Sequence, residues 1–313
     1  MRVVRLLILL ALSAIPTNVS ATPDSTTVIL LGTGMPRPNP ERSGPATAIT
    51  VGDRQFLFDA GPAVMRQLAA AKLSFKEFEA VFITHLHSDH TLGYPDVLLT
   101  SWVMGRKTPL RVYGPPGLRR MTDLILEAWS EDVDIRTHGL ERDLPGGEKA
   151  DVREIEPPTS SDPAAPLAAR VRVVYDSADV RVTAIPVPHG SWKYAYGYRI
   201  DTPDRSIVIS GDTAYSPLLL EMSRGVDLLI HETYPLAYLK PEPRPNGELW
   251  PEYMHTFHTS DVEVGKLAAA ARPKMVILHH VVWMGGSEAE LIQGVRKGGY
   301  DGPVLIGADL GRY

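Results

Sequence analysis

The stretch AVFITHLHSDH, at residues 80–90, contains an apolar strand that runs into a loop rich in metal-ligand residues. His85 and His87 point the same way while the chain stays extended, and two such side chains suit one metal ion. Asp89 and His90 follow after the chain turns, so they can face a second ion. A solvated polar loop is the alternative interpretation. It is disfavoured because clustered imidazoles and a carboxylate are rarely buried for packing alone.

The same arrangement recurs along the chain, with ligand-type residues directly after apolar runs. One such residue after a strand is weak evidence, but several together indicate a site at one edge of an α/β layered fold. A carboxylate such as Asp212 can bridge two ions in a binuclear site. Nitrogen and oxygen donors favour Zn²⁺, with Mn²⁺ or Fe²⁺ as possible replacements. These later residues are His189, Asp212, His231 with Glu232, and His279 with His280.

The remaining periodicity predicts a mixed α/β domain in which strands first form hairpins and then alternate with helices. Gly52 and Asp53 lie between two strand-like runs and predict a hairpin turn. Ser260 and Glu263 form a capping-box pattern at the start of one helix. The predicted helices cover residues 63–71, 117–129, 260–271 and 287–297.

Composition narrows the range of function classes. The 313 residues contain 32 Lys and Arg, 37 Asp and Glu, ten His and no Cys, with a formal charge of −5. The absence of cysteine excludes disulfides, thiolate metal sites, iron–sulfur clusters and cysteine nucleophiles. No run of like charge indicates a surface for nucleic acid or for anionic membranes.

Residues 1–21 have the pattern of a cleaved secretory signal peptide. Arg2 and Arg5 precede a short apolar run, and small residues end at Ala21. An uncleaved membrane anchor is the alternative, although the run is short for a membrane span. Cleavage would leave no stable anchor and a chain of 30 basic and 37 acidic residues, with formal charge −7. We therefore expect a periplasmic or secreted protein whose residues 22–313 form a single catalytic domain.

The pattern His-x-His-x-Asp-His at 85–90, followed by His189, Asp212 and His280, resembles the metallo-β-lactamase superfamily. The opening LLGTGMPRPNPERSGP and the short motifs HET, HTS and GYRI resemble its tRNase Z and arylsulfatase-like branch. The resemblance implies a four-layer αββα sandwich that binds two zinc ions. It assigns His85, His87 and His189 to one zinc, Asp89, His90 and His280 to the other, Asp212 as the bridge, and Asp59 to the orientation of a ligand histidine.

The same resemblance selects His280 rather than its neighbour His279 as the ligand, and leaves open whether His279 has a role. It implies hydrolysis by a hydroxide held between the zinc ions, with Asp89, His258 and Glu232 as catalytic residues. His258 and Glu232 would form the proton-donor pair for the leaving group. A simple salt bridge between two loops is the alternative interpretation of that pair.

Two departures from tRNase Z argue against a tRNA substrate. Only residues 201–206 separate GYRI from the next strand, where an arm that clasps tRNA would normally be inserted. The acidic balance also offers no basic surface for RNA. Antibiotic hydrolysis is disfavoured because the lactamase subclasses with a cysteine ligand are excluded and an aspartate bridge is not a feature of true lactamases.

The sequence therefore favours hydrolysis of a small ester, either a phosphodiester or an arylsulfate. A lactonase, or another carboxylic-ester hydrolase, is the second hypothesis, and a non-catalytic metal-binding protein of the same fold is the third. The resemblance also suggests a homodimer. Four aromatic residues would wall a substrate pocket, unless they simply pack against the sheet edge: Trp192, Tyr194, Trp250 and Trp283.

Overall fold

The structure, a computed structural model, describes residues 25–141, 146–177, 179–245, 247 and 249–313. The proposed leader at residues 1–21 lies outside this part of the chain. The strands are β1 Thr26–Gly32, β2 Ala46–Val51, β3 Arg54–Phe58, β4 Ala80–Phe82, β5 Leu110–Gly114, β6 Ala150–Glu154, β7 Arg172–Asp176, β8 Arg181–Pro186, β9 Tyr196–Asp201, β10 Ser206–Ile209, β11 Leu228–Thr233, β12 Met275–Val281 and β13 Val304–Ile306. The helices are α1 Val64–Ala70, α2 Ser88–Thr91, α3 Tyr94–Val103, α4 Leu118–Ala128, α5 Ser130–His138, α6 Leu167–Arg170, α7 Pro217–Met222, α8 Trp250–Phe257, α9 Asp261–Ala271 and α10 Glu288–Lys297.

The strands form two sheets, ordered β1-β2-β3-β4-β5-β6 and β13-β12-β11-β10-β9-β8-β7. The hairpin predicted at Gly52 and Asp53 joins antiparallel β2 and β3. Strands β3 to β6 are parallel to one another, and so are β10 to β13. The carboxyl ends of parallel strands meet at one edge of a sheet, which is where α/β folds place their sites.

Three apolar cores hold four layers together. The central core lies between the sheets, where Phe58 stacks on Phe82 at 4.8 Å and Phe82 on Tyr113 at 5.1 Å. A second core joins the first sheet to α1, α3 and α4, and a third joins the other sheet to α7, α9 and α10. Burying one face of each element against another is what stabilises such layers. The predicted αββα sandwich is confirmed.

The helices and the helix cap predicted from the sequence agree with the structure. The four predicted helices correspond to α1, α4, α9 and α10, and Ser260 with Glu263 forms the expected capping box. The chain after β6 runs as a loop until the short helix α6. Within the described residues, no helix has both the length and the apolar character required to cross a membrane.

Candidate metal centre

The predicted ligands converge on the edge where the strands of both sheets end. They form two groups: the first cluster is His85, His87, His189 and Asp212, and the second cluster is Asp89, His90 and His280. Within each cluster, the potential ligand atoms lie within 4.8 Å of one another. Among the described residues, His280 belongs to the second cluster and His279 to neither.

Local backbone geometry separates the two clusters. His87 is still extended, with φ −60° and ψ 146°, and α2 begins at the next residue, so Asp89 and His90 lie in the first turn of a helix. The His90 ring nevertheless stays 4.2 Å from that of His85, so the two clusters adjoin. His280 has a φ of 45°, an uncommon conformation for a residue other than glycine that is typical of functional sites. Gly211 has a φ of 60°, and a Cβ there would come within 2.5 Å of the Tyr196 carbonyl oxygen. Glycine at this position lets the chain just before Asp212 pack closely against β9 of the same sheet and against Thr84 of the first sheet, whose Cβ would lie 3.1 Å from such a Cβ.

In the first cluster, three ring nitrogens face one another. His87 Nδ1 lies 2.9 Å from His85 Nε2 and 3.1 Å from His189 Nε2. The other ring nitrogen of His189 donates to the Phe257 carbonyl oxygen at 2.7 Å, and His85 Nδ1 lies 3.0 Å from Thr84 Oγ1. Hydrogen bonds of this kind at Nδ1 fix the orientation of the His85 and His189 rings and leave the lone pair of Nε2 free to bind a metal.

Trp192 restricts the protonation of His87. Its indole Nε1–H donates to His87 Nε2 at 2.7 Å. An indole N–H can only donate, so His87 Nε2 is the bare nitrogen and the neutral ring carries its proton on Nδ1. Nδ1 is the atom that faces His85 and His189. A cation held by Nδ1 would therefore have to displace this proton, and the indole hydrogen bond would oppose its transfer to Nε2.

In the second cluster, carboxylates are the main partners. His90 Nδ1 donates to Asp59 Oδ2 at 2.8 Å, and His280 Nε2 lies 3.1 Å from Asp89 Oδ2. Asp59 also accepts from Thr84 N at 2.8 Å and from Thr84 Oγ1 at 2.9 and 3.0 Å. Asp59 thus contacts His90 directly and His85 through Thr84, so its carboxylate supports both clusters.

Asp212 lies between the clusters. Its Oδ2 is 3.9 Å from His85 Nε2, 4.0 Å from His189 Nε2 and 3.5 Å from His280 Nε2. Its Oδ1 is 3.3 Å from His90 Nε2, a contact without hydrogen-bond geometry. One carboxylate therefore reaches histidines of both clusters, as the proposed bridge requires.

Burial dominates the electrostatics of the first cluster. Desolvation lowers the pKa of His85 well below its ordinary value and lowers those of His87 and His189 to about 4. Neutral imidazole is the form that binds a metal. Two of these histidines are thus prepared as ligands by their surroundings, while His87 must also exchange its tautomer.

The second cluster behaves differently because carboxylates surround it. Burial lowers the pKa of His90, but Asp212, Asp59 and Asp89 together raise it well above its ordinary value. The pKa of His280 is also raised, since Asp212 and Asp89 outweigh burial. The pKa of Asp212 falls well below its ordinary value, because His280, His90 and His85 outweigh its desolvation.

The donor set fits divalent metal ions. Among the described residues, His90 Nε2 and Asp212 Oδ1 are buried without a hydrogen-bond partner. Uncompensated buried polar atoms are costly, and a cation between the clusters would satisfy them together. Imidazole nitrogens and carboxylate oxygens are ligands that Zn²⁺ accepts.

Glu232 and His258 lie beside the clusters. His258 Nδ1 is 3.3 Å from Glu232 Oε1, which also accepts from the backbone N–H groups of Thr213 and Thr259. The His258 ring is 5.5 Å from that of His189 and 6.2 Å from that of His280, so it faces one histidine of each cluster. Burial, the largest influence, lowers the pKa of His258 to about 4 and raises that of Glu232.

The four aromatic residues expected to wall a pocket separate in the structure. Trp192 contacts the first cluster, with its ring 4.8 Å from that of His87. Trp250 packs on Tyr253, whose ring lies 6.1 Å from that of His258 and stacks on Phe257. The Phe257 ring is in turn 5.2 Å from that of His189. Tyr194 packs against the central core and Trp283 against the outer core of the second sheet. The aromatic side chains nearest the histidines are thus Trp192 and Phe257.

Two contacts could not be foreseen from residue patterns. Thr84 links Asp59 to His85, although its only sequence signal is its position just before a ligand. Arg244 lies over Tyr253, with its guanidinium carbon 3.5 Å from the ring centroid.

His279 is buried, with neither ring nitrogen hydrogen-bonded among the described residues, and burial lowers its pKa to about 3.

Comparison with known proteins agrees with this geometry. The model of the beta-lactamase superfamily domain matches residues 54–281. Ribonuclease Z of Mycobacterium marinum is 30% identical over 289 residues, covering 91% of this chain and 97% of the relative.

Two solved structures share the fold. The short form of human tRNase Z has a TM-score of 0.68 at 23% identity, over 92% of this chain and 98% of that one. The metallo-beta-lactamase fold protein YhfI of Bacillus subtilis has a TM-score of 0.67 at 17% identity, over 93% and 99%. The match in sequence and fold, together with the ligand clusters, makes this chain a metal-dependent hydrolase of ester bonds. It belongs to the metallo-β-lactamase superfamily, in the branch of ribonuclease Z.

Proposed function

We propose that this protein is an exported, binuclear zinc hydrolase that cleaves small phosphodiesters or arylsulfate esters. The observation that carries the proposal is the position of Asp212, whose two oxygens lie within 4.0 Å of ring nitrogens in both clusters. Residues 22–313 would form the catalytic domain after removal of the leader at 1–21.

The first cluster would hold one zinc and the second cluster the other, with Asp212 shared. Bound ions of this kind lower the pKa of water and stabilise the anionic charge of the transition state. Asp59 would hold the rings of His90 and, through Thr84, of His85 in place. In the overall reaction, a water oxygen forms a bond to phosphorus or sulfur while the bond to the leaving-group oxygen breaks.

His258 would supply the proton that the leaving oxygen takes up. Its Nδ1 faces Glu232, which leaves the other ring nitrogen for the substrate. Because burial lowers the pKa of His258 to about 4, the ring is neutral at pH 7, and it would donate only after taking up a proton released by the attacking water. Glu232 would orient the ring, held in turn by the N–H groups of Thr213 and Thr259.

The size of the site supports a small substrate. Residues Asp201 and Ser206 pair directly in the β9–β10 hairpin, so only a tight turn stands where a tRNA-binding arm would be inserted. Phe257 packs against His189, and Tyr253 stacks on Phe257 at 4.4 Å, which narrows this side of the site. The acidic chain would also repel a polyanion.

A second candidate is cleavage of RNA phosphodiesters, favoured by the 30% identity to ribonuclease Z. The deciding experiment uses the purified chain with its zinc content measured. Turnover would be compared for bis-p-nitrophenyl phosphate, p-nitrophenyl sulfate, a simple lactone and a tRNA precursor. We expect about two zincs and turnover of the first or second compound. Two zincs without turnover of any small ester would refute the proposal, and selective processing of the tRNA precursor would establish the second candidate.

His258→Ala tests the proton donor. We expect rate losses of roughly 10²–10⁴-fold on esters with poor leaving groups and much smaller losses on activated nitrophenyl esters. His255→Ala is the matched control, because His255 is exposed on the neighbouring helix α8. Equal losses on both ester types would remove the proton-donor role while leaving the hydrolase proposal intact.

Export has its own test. Expression of the full chain in a bacterium followed by fractionation should yield periplasmic or secreted protein that begins at Thr22. Retention of residues 1–21 on a membrane-bound product would support an uncleaved anchor instead.

A further inference from the structure

A cleft of about 330 Å³ opens beside the second cluster, and Ser88 and Asp89 form part of its lining. Its opposite wall is the proline-rich loop after β1, residues 35–44, and its remaining side is the start of α1. The loop comes close to the metal-binding motif: a Cβ on Gly44 would meet the Asp89 carbonyl oxygen at 3.1 Å. If the ester that is cleaved lies over the second cluster, the rest of the substrate can therefore extend into this cleft.

Three arginines line the cleft: Arg37, Arg42 and Arg66. The guanidinium group of Arg42 already has partners within the protein. It donates to Thr33 Oγ1 and to the Gly307 carbonyl oxygen, both at 2.8 Å, and pairs with Glu288 at 3.2 Å. Arg37 and Arg66 are exposed, and no carboxylate of the described residues lies within ion-pair distance of either. Two unpaired guanidinium groups thus share one small cleft on a protein of net negative charge.

The loop that carries Arg37 is held in place. Prolines at 36, 38 and 40 restrict its backbone torsions. Gly34 N donates to the Ser43 carbonyl oxygen at 2.8 Å, and Ser43 N donates to Asp309 Oδ2 at 2.6 Å. Asp309 also accepts from Gln67 Nε2 on α1, the helix that carries Arg66. Since both walls are tied to one carboxylate, little backbone entropy remains to be lost on binding.

From this arrangement we infer that the substrate carries a second anionic group, beyond the ester that is cleaved, and that Arg37 and Arg66 bind it. Guanidinium groups pair with phosphate, sulfate or carboxylate through charged hydrogen bonds. The inference deepens the proposed function and rests on it. It narrows the substrate class from small esters in general to small esters with an anionic group on the side facing this cleft.

The test compares two diesters that differ only in charge: p-nitrophenyl thymidine 5′-phosphate and the same compound with a 3′-phosphate. We expect the wild-type protein to prefer the 3′-phosphorylated compound, mainly through a lower KM. Arg37→Ala and Arg66→Ala should each reduce the kcat/KM ratio of the two compounds about tenfold. Arg37→Lys should restore part of the ratio, and a 3′-hemisuccinate would show whether a carboxylate can replace the phosphate.

Arg224→Ala is the control, because Arg224 is an exposed arginine that precedes β11, at the edge opposite the site. It should leave the ratio unchanged. Turnover of both compounds without a preference, or a preference that survives in Arg37→Ala and Arg66→Ala, would overturn the inference.

Loss of the proposed function would look different, because neither compound would turn over. In that case, calorimetry can still measure the affinity of the cleft for thymidine 3′,5′-bisphosphate and for thymidine 5′-monophosphate. Tighter binding of the bisphosphate that weakens in both arginine variants would support the inference, and equal binding of the two nucleotides would refute it.

Discussion

Each cluster takes two of its residues from the motif at 85–90, yet the surroundings of the two clusters are opposite. In the first cluster, burial lowers the pKa values of His85, His87 and His189, while in the second, carboxylates raise those of His90 and His280. The first cluster is also partly open at His87, where Trp192 contacts it. The second is buried and has Asp59 and Asp89 as close partners.

The difference shows what each cluster needs from its neighbours. The first relies on neutral imidazoles oriented by a hydroxyl and a backbone carbonyl, at Thr84 and Phe257. The second relies on negative charge, which attracts a cation but also holds protons on its histidines until the cation displaces them. Substitution of a neighbour that contacts both clusters should therefore change metal binding at both. Substitution of a neighbour that contacts one cluster should change metal binding at that cluster alone.

Asp212→Ala should have the largest effect, because Asp212 is the carboxylate shared by both clusters. We expect loss of one or both metals, with activity at or near background. Metal content by mass spectrometry and turnover of bis-p-nitrophenyl phosphate provide the measurement. Asp227→Ala, at the opposite edge of the same sheet, is the control. Two retained metals with full activity would show that Asp212 is not a bridge.

Asp59→Asn should affect the second cluster more than the first. Asp59 has a φ of 58°, which asparagine tolerates, so the change removes charge with little backbone strain. Loss of the direct contact to His90 should weaken metal binding at the second cluster about 10–100-fold. Titration against a chelator gives the two affinities. Equal weakening of both sites would mean that the route through Thr84 matters as much as the direct contact.

Thr84→Val should weaken metal binding at the first cluster more than at the second, the reverse of the order expected for Asp59→Asn. The substitution keeps the shape of the side chain but removes the hydroxyl between Asp59 and His85 Nδ1. We expect roughly tenfold weaker binding at the first cluster and little change at the second, where His90 keeps its bond to Asp59. The same titration checks this result, and a loss confined to the second cluster would contradict it.

Trp192→Phe should have the smallest effect, and it should strengthen binding. The change removes the donor that keeps the His87 proton on Nδ1, and one such hydrogen bond is worth about 0.5–1.5 kcal/mol. Metal affinity at the first cluster should thus rise roughly 2- to 12-fold.

In the wild-type protein, loading the first cluster should change tryptophan fluorescence, and most of this change should vanish in Trp192→Phe. Trp283→Phe serves as the control, because Trp283 packs against the outer core of the second sheet. Weaker metal binding in Trp192→Phe would show instead that the indole supports His87 as a ligand.

Several elements escaped prediction for a physical reason. Helix α5 buries none of its residues, so it has no apolar period to detect. Strand β6 buries only Val152, between exposed neighbours at the end of its sheet. By contrast, β1 and β12 are nearly continuous apolar runs, which stand out by hydrophobicity alone. Periodicity reports burial, so elements at the margin of a sheet or exposed to solvent carry little signal.

Sequence by itself determined the layered fold, the family and the residues that form the clusters, because strands, caps and the motif at 85–90 are local patterns. It also indicated the division of that motif, since the turn after His87 is local. Only the tertiary structure brought Trp192 onto His87, Asp59 onto both His90 and Thr84, and Arg37 and Arg66 into one cleft beside Asp89. These contacts join residues far apart in the chain, and nothing in the local sequence specifies which distant side chain will be adjacent once the sheets have packed.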